Sequence, residues 1–207
     1  MISFDRALHT ERSPLYAGAV MTERLPPGQR WIDEPIVYDI AHVPPIDLSE
    51  ARLLLTGAVA NERELTWADL VALPRIAVTR DFHCVTRWSV KDVEWEGIAT
   101  RTLTDLAMPL PGVTWVLAVC REGYTTGVPY ERFIAEDSLV ATRMNGEPLR
   151  PEHGCPLRLV VPSLYAWKYA KYLTELRFLT ERRRGFWEER GYHDVGDPWR
   201  EERFRGR

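Results

Sequence analysis

The chain has little cysteine: three residues in 207, at positions 84, 120 and 155, too few and too scattered for a disulfide framework. It has no run approaching the ~20 apolar residues that span a bilayer. Its first residues carry neither an apolar signal core nor a twin-arginine pair. It has no excess of basic charge either; the net charge is −3, whereas nucleic-acid binders usually carry a basic footprint. Gly-x-Gly-x-x-Gly and the P-loop are missing, which argues against nucleotide cradling. Cys-x-x-Cys and His-Glu-x-x-His are missing, which argues against structural zinc and zincin sites. There is no internal repeat and no low-complexity segment. These absences point to a reduced, cytoplasmic protein with no membrane span and no nucleic-acid partner, in which local basic groups must hold any anionic substrate.

The residues present are 45% apolar and 28% charged, enough for a sizeable core and ordinary for a soluble chain. The expected organisation is a single domain over 1–207, with a proline-punctuated extended arm at 1–35 and a charged, aromatic tail at 181–207 that packs on the domain or meets a second subunit. Strands are predicted at 51–59, 76–79, 113–119, 138–143, 157–161 and 174–179. Thr66 and Asp69 form a capping-box pattern that opens a short helix ended by Pro74. Trp95-Glu-Gly97 reads as a turn into a second capped helix at Thr102–Asp105, and further short helices are predicted at 129–134 and 164–172. Brief helices among dominant strands give an α+β class, with mixed β-sheets, short helices and long loops.

Four clusters carry chemistry. Cys84 follows His83 and precedes Arg87 in a loop after the 76–79 strand, and cationic neighbours favour the reactive thiolate. Arg158 heads a very apolar strand, which is costly unless it meets an internal acid or a bound anion. Lys168 and Lys171, on one face if helical, suit a polyanion such as phosphate or are simply solvated. Tyr124 is presented by the loop Gly123–Pro129, which is otherwise a plain hairpin. Cys84 and His153 could also serve as a thiol nucleophile and its base.

Taken in order, His83-Cys-Val-Thr-Arg-Trp-Ser89, Trp95-Glu-Gly97, Asn145-Gly-Glu-Pro-Leu149, Pro151-Glu-His-Gly154, Pro156-Leu-Arg-Leu-Val-Val-Pro162 and Trp167-Lys-Tyr-Ala-Lys171 resemble the molybdopterin-binding domain of the sulfite oxidase family. The specific likeness is to its small bacterial and archaeal sulfite-oxidase-like oxidoreductases, and the resemblance covers nearly the whole chain. The resemblance implies a molybdenum–molybdopterin cofactor with Cys84 as the only protein ligand of the metal. It places Asp39, His42, His83, Cys120, His153, Arg158, Tyr169, Ala170 and Lys171 around the pterin and its phosphate. It puts Tyr124 and Arg87 near the substrate. Animal-type members have an arginine five residues after the cysteine; here that position is Ser89, and their haem domain has no counterpart in these 207 residues. The implied activity is oxygen-atom transfer to or from a small substrate, a sulfite-like anion or an S- or N-oxide, with a separate electron carrier as partner. The alternatives are a non-catalytic molybdopterin-binding or redox-sensing module, and a metal-free thiol enzyme using Cys84 and His153.

Overall fold

Successive side chains of a β-strand point to opposite faces, and this chain uses that period to feed two cores from one sheet. The computed structural model describes residues 24–38 and 46–206. In chain order these form β1 (Arg30–Trp31), β2 (Arg52–Gly57), β3 (Arg63–Thr66), α1 (Trp67–Ala72), β4 (Ile76–Cys84), β5 (Trp88–Ala99), α2 (Thr100–Ala107), β6 (Trp115–Cys120), β7 (Thr125–Pro129), α3 (Tyr130–Phe133), β8 (Leu139–Met144), β9 (Glu147–Pro148), β10 (Arg158–Val160), β11 (Leu173–Leu179) and α4 (Phe186–Glu189). One sheet runs β1-β5-β8-β10, with β4 on β5 and β9 on β8; the other runs β3-β2-β11-β6-β7. No helix among the described residues is long and apolar enough to cross a membrane.

Ile98, Val140 and Leu159 of the first sheet point into a core shared with Leu55, Val116 and Phe178 of the second. Their neighbours Leu139, Ala141 and Val160 point the other way, into a core with Phe82, Cys84, Trp88 and Trp95. Cys84 therefore sits on the outer face of a sheet whose inner face is already filled.

The strands expected at 51–59, 113–119, 138–143, 157–161 and 174–179 are β2, β6, β8, β10 and β11. The capping box also forms: Asp69 N–H donates to Thr66 Oγ1 and Thr66 N–H donates to the Asp69 carboxylate. Four expectations are corrected. The 76–79 strand continues to Cys84, and Trp95–Gly97 lies inside the twelve-residue β5 rather than in a turn. Gly97 is needed there because a Cβ would collide with the Val140 carbonyl. The second helix starts after Ala99, whose methyl side chain cannot cap it, and Thr100 donates its hydroxyl to the Phe133 and Ser138 carbonyls. The helix expected over 164–172 is only a 3-10 turn, Ala166–Lys168. Beyond it the backbone is drawn onto β10: Leu159 N–H donates to the Ala170 carbonyl and Leu173 N–H to that of Leu157.

That short turn also changes the two lysines. Lys168 does not share a face with Lys171; it is fully buried and donates to Glu188 Oε1 at 2.6 Å and to the Gly127 and Asp194 carbonyls at 2.6 and 2.7 Å. Glu188 also accepts from Thr126, the Trp167 indole and Gly185 N–H. Burial pulls the Lys168 ammonium down, and Glu188 beside it works to keep it charged. The tail packs its aromatics on the rest of the chain: Tyr192 meets Trp167 at 5.3 Å and Phe186 meets Tyr124 at 5.9 Å.

Candidate functional site

The β4–β5 hairpin presents Cys84. A bulge between Arg80 and Phe82 re-aims the end of β4, as bulges do beside sites, so that Phe82 and Cys84 share the outer face. Cys84 pairs with Trp88 across a three-residue loop, and Arg87 closes that loop at φ 75°, the left-handed position such loops require. Arg203 braces the same turn from the tail, donating to the Val85 carbonyl at 2.5 Å.

The expected cation-stabilised thiolate is not what the local geometry provides. His83 points to the opposite face, 2.8 Å from the Ser89 hydroxyl through Nδ1. Burial pulls it down to about 4, so it is neutral near pH 7. Arg87 is exposed in the loop. Burial pushes the Cys84 thiol up, against the pull of the Thr86 hydroxyl and backbone amide. Without a bound partner this sulfur keeps its proton; a soft metal would displace it.

Cys84 opens onto a cavity of about 400 Å³, within the range of small-molecule sites. The cavity collects six of the sequence-predicted residues: Cys84, Tyr124, His153, Arg158, Tyr169 and Lys171. His83, Arg87, Cys120 and Ala170 are not in its lining. Cys120 is packed among aliphatic residues of the inner core, where burial raises its thiol well above the usual range. Ala170 contributes its carbonyl to Leu159. Asp39 and His42 lie outside the described residues.

Arg158 is the most informative of the six. The residue is 4% exposed, and burial pulls its guanidinium down to about 10. Phe82, Trp95 and Tyr169 surround it with ring centroids 5.1 to 5.8 Å away. It donates to the His153 carbonyl at 3.1 Å, while its buried Nε has no partner. The internal acid that could have explained it is not there among the described residues. A buried cation without a carboxylate is expensive, and its position in the cavity wall fits an anionic ligand. His153 and Lys171 stand at the same cavity; Lys171 Nζ donates to the Glu152 carbonyl at 2.8 Å and the Tyr38 carbonyl at 3.3 Å. Burial, then Arg158 and Arg150, hold His153 neutral.

Tyr124, Trp167, Trp187 and Tyr192 line the cavity with Ile36, Val37 and Tyr38, and Glu122 is also in its lining, within electrostatic reach of Lys171. The Tyr124 hydroxyl donates to the Trp167 carbonyl at 2.5 Å, so this phenol is committed to the wall. Tyr192 is close enough to Cys84 for their charged forms to repel. Trp187 and Tyr192 belong to the tail whose aromatics are expected to pack on the domain, but the sequence does not show that they line this cavity. Among the described residues no three His, Cys, Asp or Glu side chains converge to hold a metal. A dithiolene would supply further soft ligands to a metal at Cys84.

Comparison with known proteins agrees with this geometry. The family model described as oxidoreductase molybdopterin binding domain matches residues 40–187. The chain is 41% identical over 182 residues to the uncharacterized oxidoreductase YuiH of Bacillus subtilis, covering 87% of this chain and 92% of that protein. It is 24% identical over 159 residues to the protein-methionine-sulfoxide reductase catalytic subunit MsrP of Campylobacter jejuni, covering 69% of this chain and 53% of that one. It is 27% identical over 187 residues to the sulfite oxidase of Arabidopsis thaliana, covering 72% and 47%. The chain thus spans about half the length of these last two relatives. It shares a fold with the sulfane dehydrogenase SoxCD from Paracoccus pantotrophus, at a TM-score of 0.61 and 24% identity over 67% of this chain and 40% of that one. The chain belongs to the oxidoreductase molybdopterin-binding domain family, the sulfite oxidase family that its motifs resemble, and molybdenum–molybdopterin is the cofactor this membership implies.

Proposed function

We propose that the chain transfers an oxygen atom to or from a small substrate at a molybdenum held by Cys84, with His153, Arg158, Tyr169 and Lys171 along the pterin and its phosphate. Arg158 carries this reading: a buried arginine with no carboxylate partner among the described residues, lining the same cavity as a buried thiol. An arginine fork suits a phosphate, and a single soft sulfur suits a thiophilic metal. When bound, the cofactor supplies the two-electron chemistry. The chain's residues bind it, orient its metal and exclude water. Electrons come from or go to a separate carrier. The three cysteines, none of them bridged, support a reducing compartment such as the cytoplasm.

The substrate end favours an uncharged S- or N-oxide over a sulfite-like anion. Arg87 stands outside the cavity, and Ser89 is turned to His83 and Gln29. Glu122 in the lining works against an anion nearby, although burial holds its carboxyl above the usual range and Arg121 and Lys171 pull it the other way. The test is anaerobic: dithionite-reduced holoprotein should be reoxidised by S- or N-oxides, and oxidised holoprotein should react slowly with sulfite. Faster reaction with sulfite would reverse the substrate assignment. No reaction with either would indicate a binding or sensing module. A thiol enzyme has less support, because no histidine among the described residues hydrogen-bonds the Cys84 sulfur.

Arg158→Met separates cofactor binding from folding. Removing an uncompensated buried charge should leave the apoprotein at least as stable as the wild type. Cofactor retention should fall roughly 10–100-fold. Thermal unfolding of the apoprotein and pterin released on dialysis measure the two effects.

A further inference from the structure

Thr86 stands beside the sulfur and is not absorbed by the assignments above. Its Oγ1 is 3.1 Å from Cys84 Sγ and 3.1 Å from the Tyr38 hydroxyl, while Trp88 Nε1 is 3.4 Å from that same hydroxyl. Tyr38 also stacks on Trp88, with ring centroids 6.5 Å apart.

The chemistry of these groups sets a direction. An indole N–H only donates, so Trp88 makes the Tyr38 oxygen its acceptor. The Tyr38 proton is then free to go to Thr86, and the Thr86 proton to the sulfur. A metal-bound thiolate accepts and cannot donate, which demands the same polarity. Each donor in such a chain strengthens the next.

We infer that Thr86, aligned by Tyr38, is a positioning residue that donates a hydrogen bond to the Cys84 sulfur and so raises the reduction potential of the metal. The inference rests on the assignment of Cys84 as ligand made above. A hydrogen bond to a ligating thiolate withdraws electron density from sulfur and favours the reduced metal, and such bonds are an established means of tuning metal potentials. The relay also gives the 35–38 segment a chemical role. Tyr38 belongs to the cavity lining and is held at its carbonyl by Lys171 Nζ, so the position of this segment decides whether the relay is complete. Thr86 is itself exposed in a hairpin loop, where any polar residue would serve the turn.

The test uses holoproteins carrying Thr86→Val, Thr86→Ser, Tyr38→Phe and Cys84→Ser. Two readouts apply: potentiometric titration of the metal's electron paramagnetic resonance signal, and the thiolate-to-metal charge-transfer band. Thr86→Val should lower the midpoint potential and move the band to lower energy, because the sulfur becomes more electron-rich. Thr86→Ser should restore both, and Tyr38→Phe should give a smaller shift in the same direction. A wild-type potential and band in both Thr86→Val and Tyr38→Phe, with the band lost in Cys84→Ser, would overturn the inference alone. A wild-type band in Cys84→Ser would overturn the ligand assignment and this inference with it.

Discussion

Cys84→Ser is expected to lower turnover more than about a hundred-fold while leaving the pterin bound. Loss of groups that merely support a metal ligand typically costs 10–100-fold, and the ligand itself should exceed that range. Serine preserves the size of the side chain and its place at the end of β4, so the fold is not at issue. What changes is the donor: a hard oxygen replaces a soft sulfur. The pterin should persist because Arg158, His153 and Lys171 are untouched. Activity, molybdenum and pterin measured on one preparation check this. Retained turnover would mean that the sulfur is not a ligand.

Lys168→Met is expected to destabilise the protein by about 3–5 kcal/mol, the usual result of removing one partner from a buried ion pair. That corresponds to a fall in Tm on the order of 10 °C for a chain of this size. The cause is what remains: Glu188, 1% exposed, is left beside Trp167 and Thr126 without the cation that faced it. Adding Glu188→Gln to Lys168→Met should recover part of the loss, because the amide oxygen still accepts from Trp167 and Thr126 without a buried charge. The effect reaches the site. Glu188 lies in the helix that contains Trp187, and the Asp194 carbonyl that Lys168 holds lies two residues beyond Tyr192; both aromatics line the cavity. Thermal unfolding of the single and double variants measures the coupling, and an unchanged Tm in Lys168→Met would show that the pair contributes nothing net.

Which parts of this were legible in the sequence follows from how local each signal is. β2, β8, β10 and β11 are apolar runs of strand length, and the Thr66–Asp69 cap is a contact three residues apart; both can be read in a short window. β5 was missed because Gly97 reads as a turn, when its role is to admit the Val140 carbonyl of a strand more than forty residues away. The 164–172 helix was overcalled because residues with helical spacing are instead drawn into backbone bonds with β10. At the site, Cys84, His153, Arg158, Tyr169 and Lys171 were recognised as an ordered set of motifs. Arg87 was read by proximity along the chain, and a left-handed turn takes it out of the cavity. For Lys168 the sequence offers a polyanion or solvent, and neither holds because its partner, Glu188, sits twenty residues away in the tail. Thr86 and Tyr38 are 48 residues apart, and only the fold brings their hydroxyls together.

The central claim is that this cavity holds molybdopterin with its metal on Cys84. It is tested most directly by elemental analysis together with X-ray absorption at the molybdenum edge, on protein made in a host that synthesises the cofactor. The expected result is about one molybdenum per chain, with one sulfur ligand fewer in Cys84→Ser than in the wild type. Protein that contains no molybdenum yet retains a thiol-dependent activity, or an identical sulfur count in the two proteins, would contradict it.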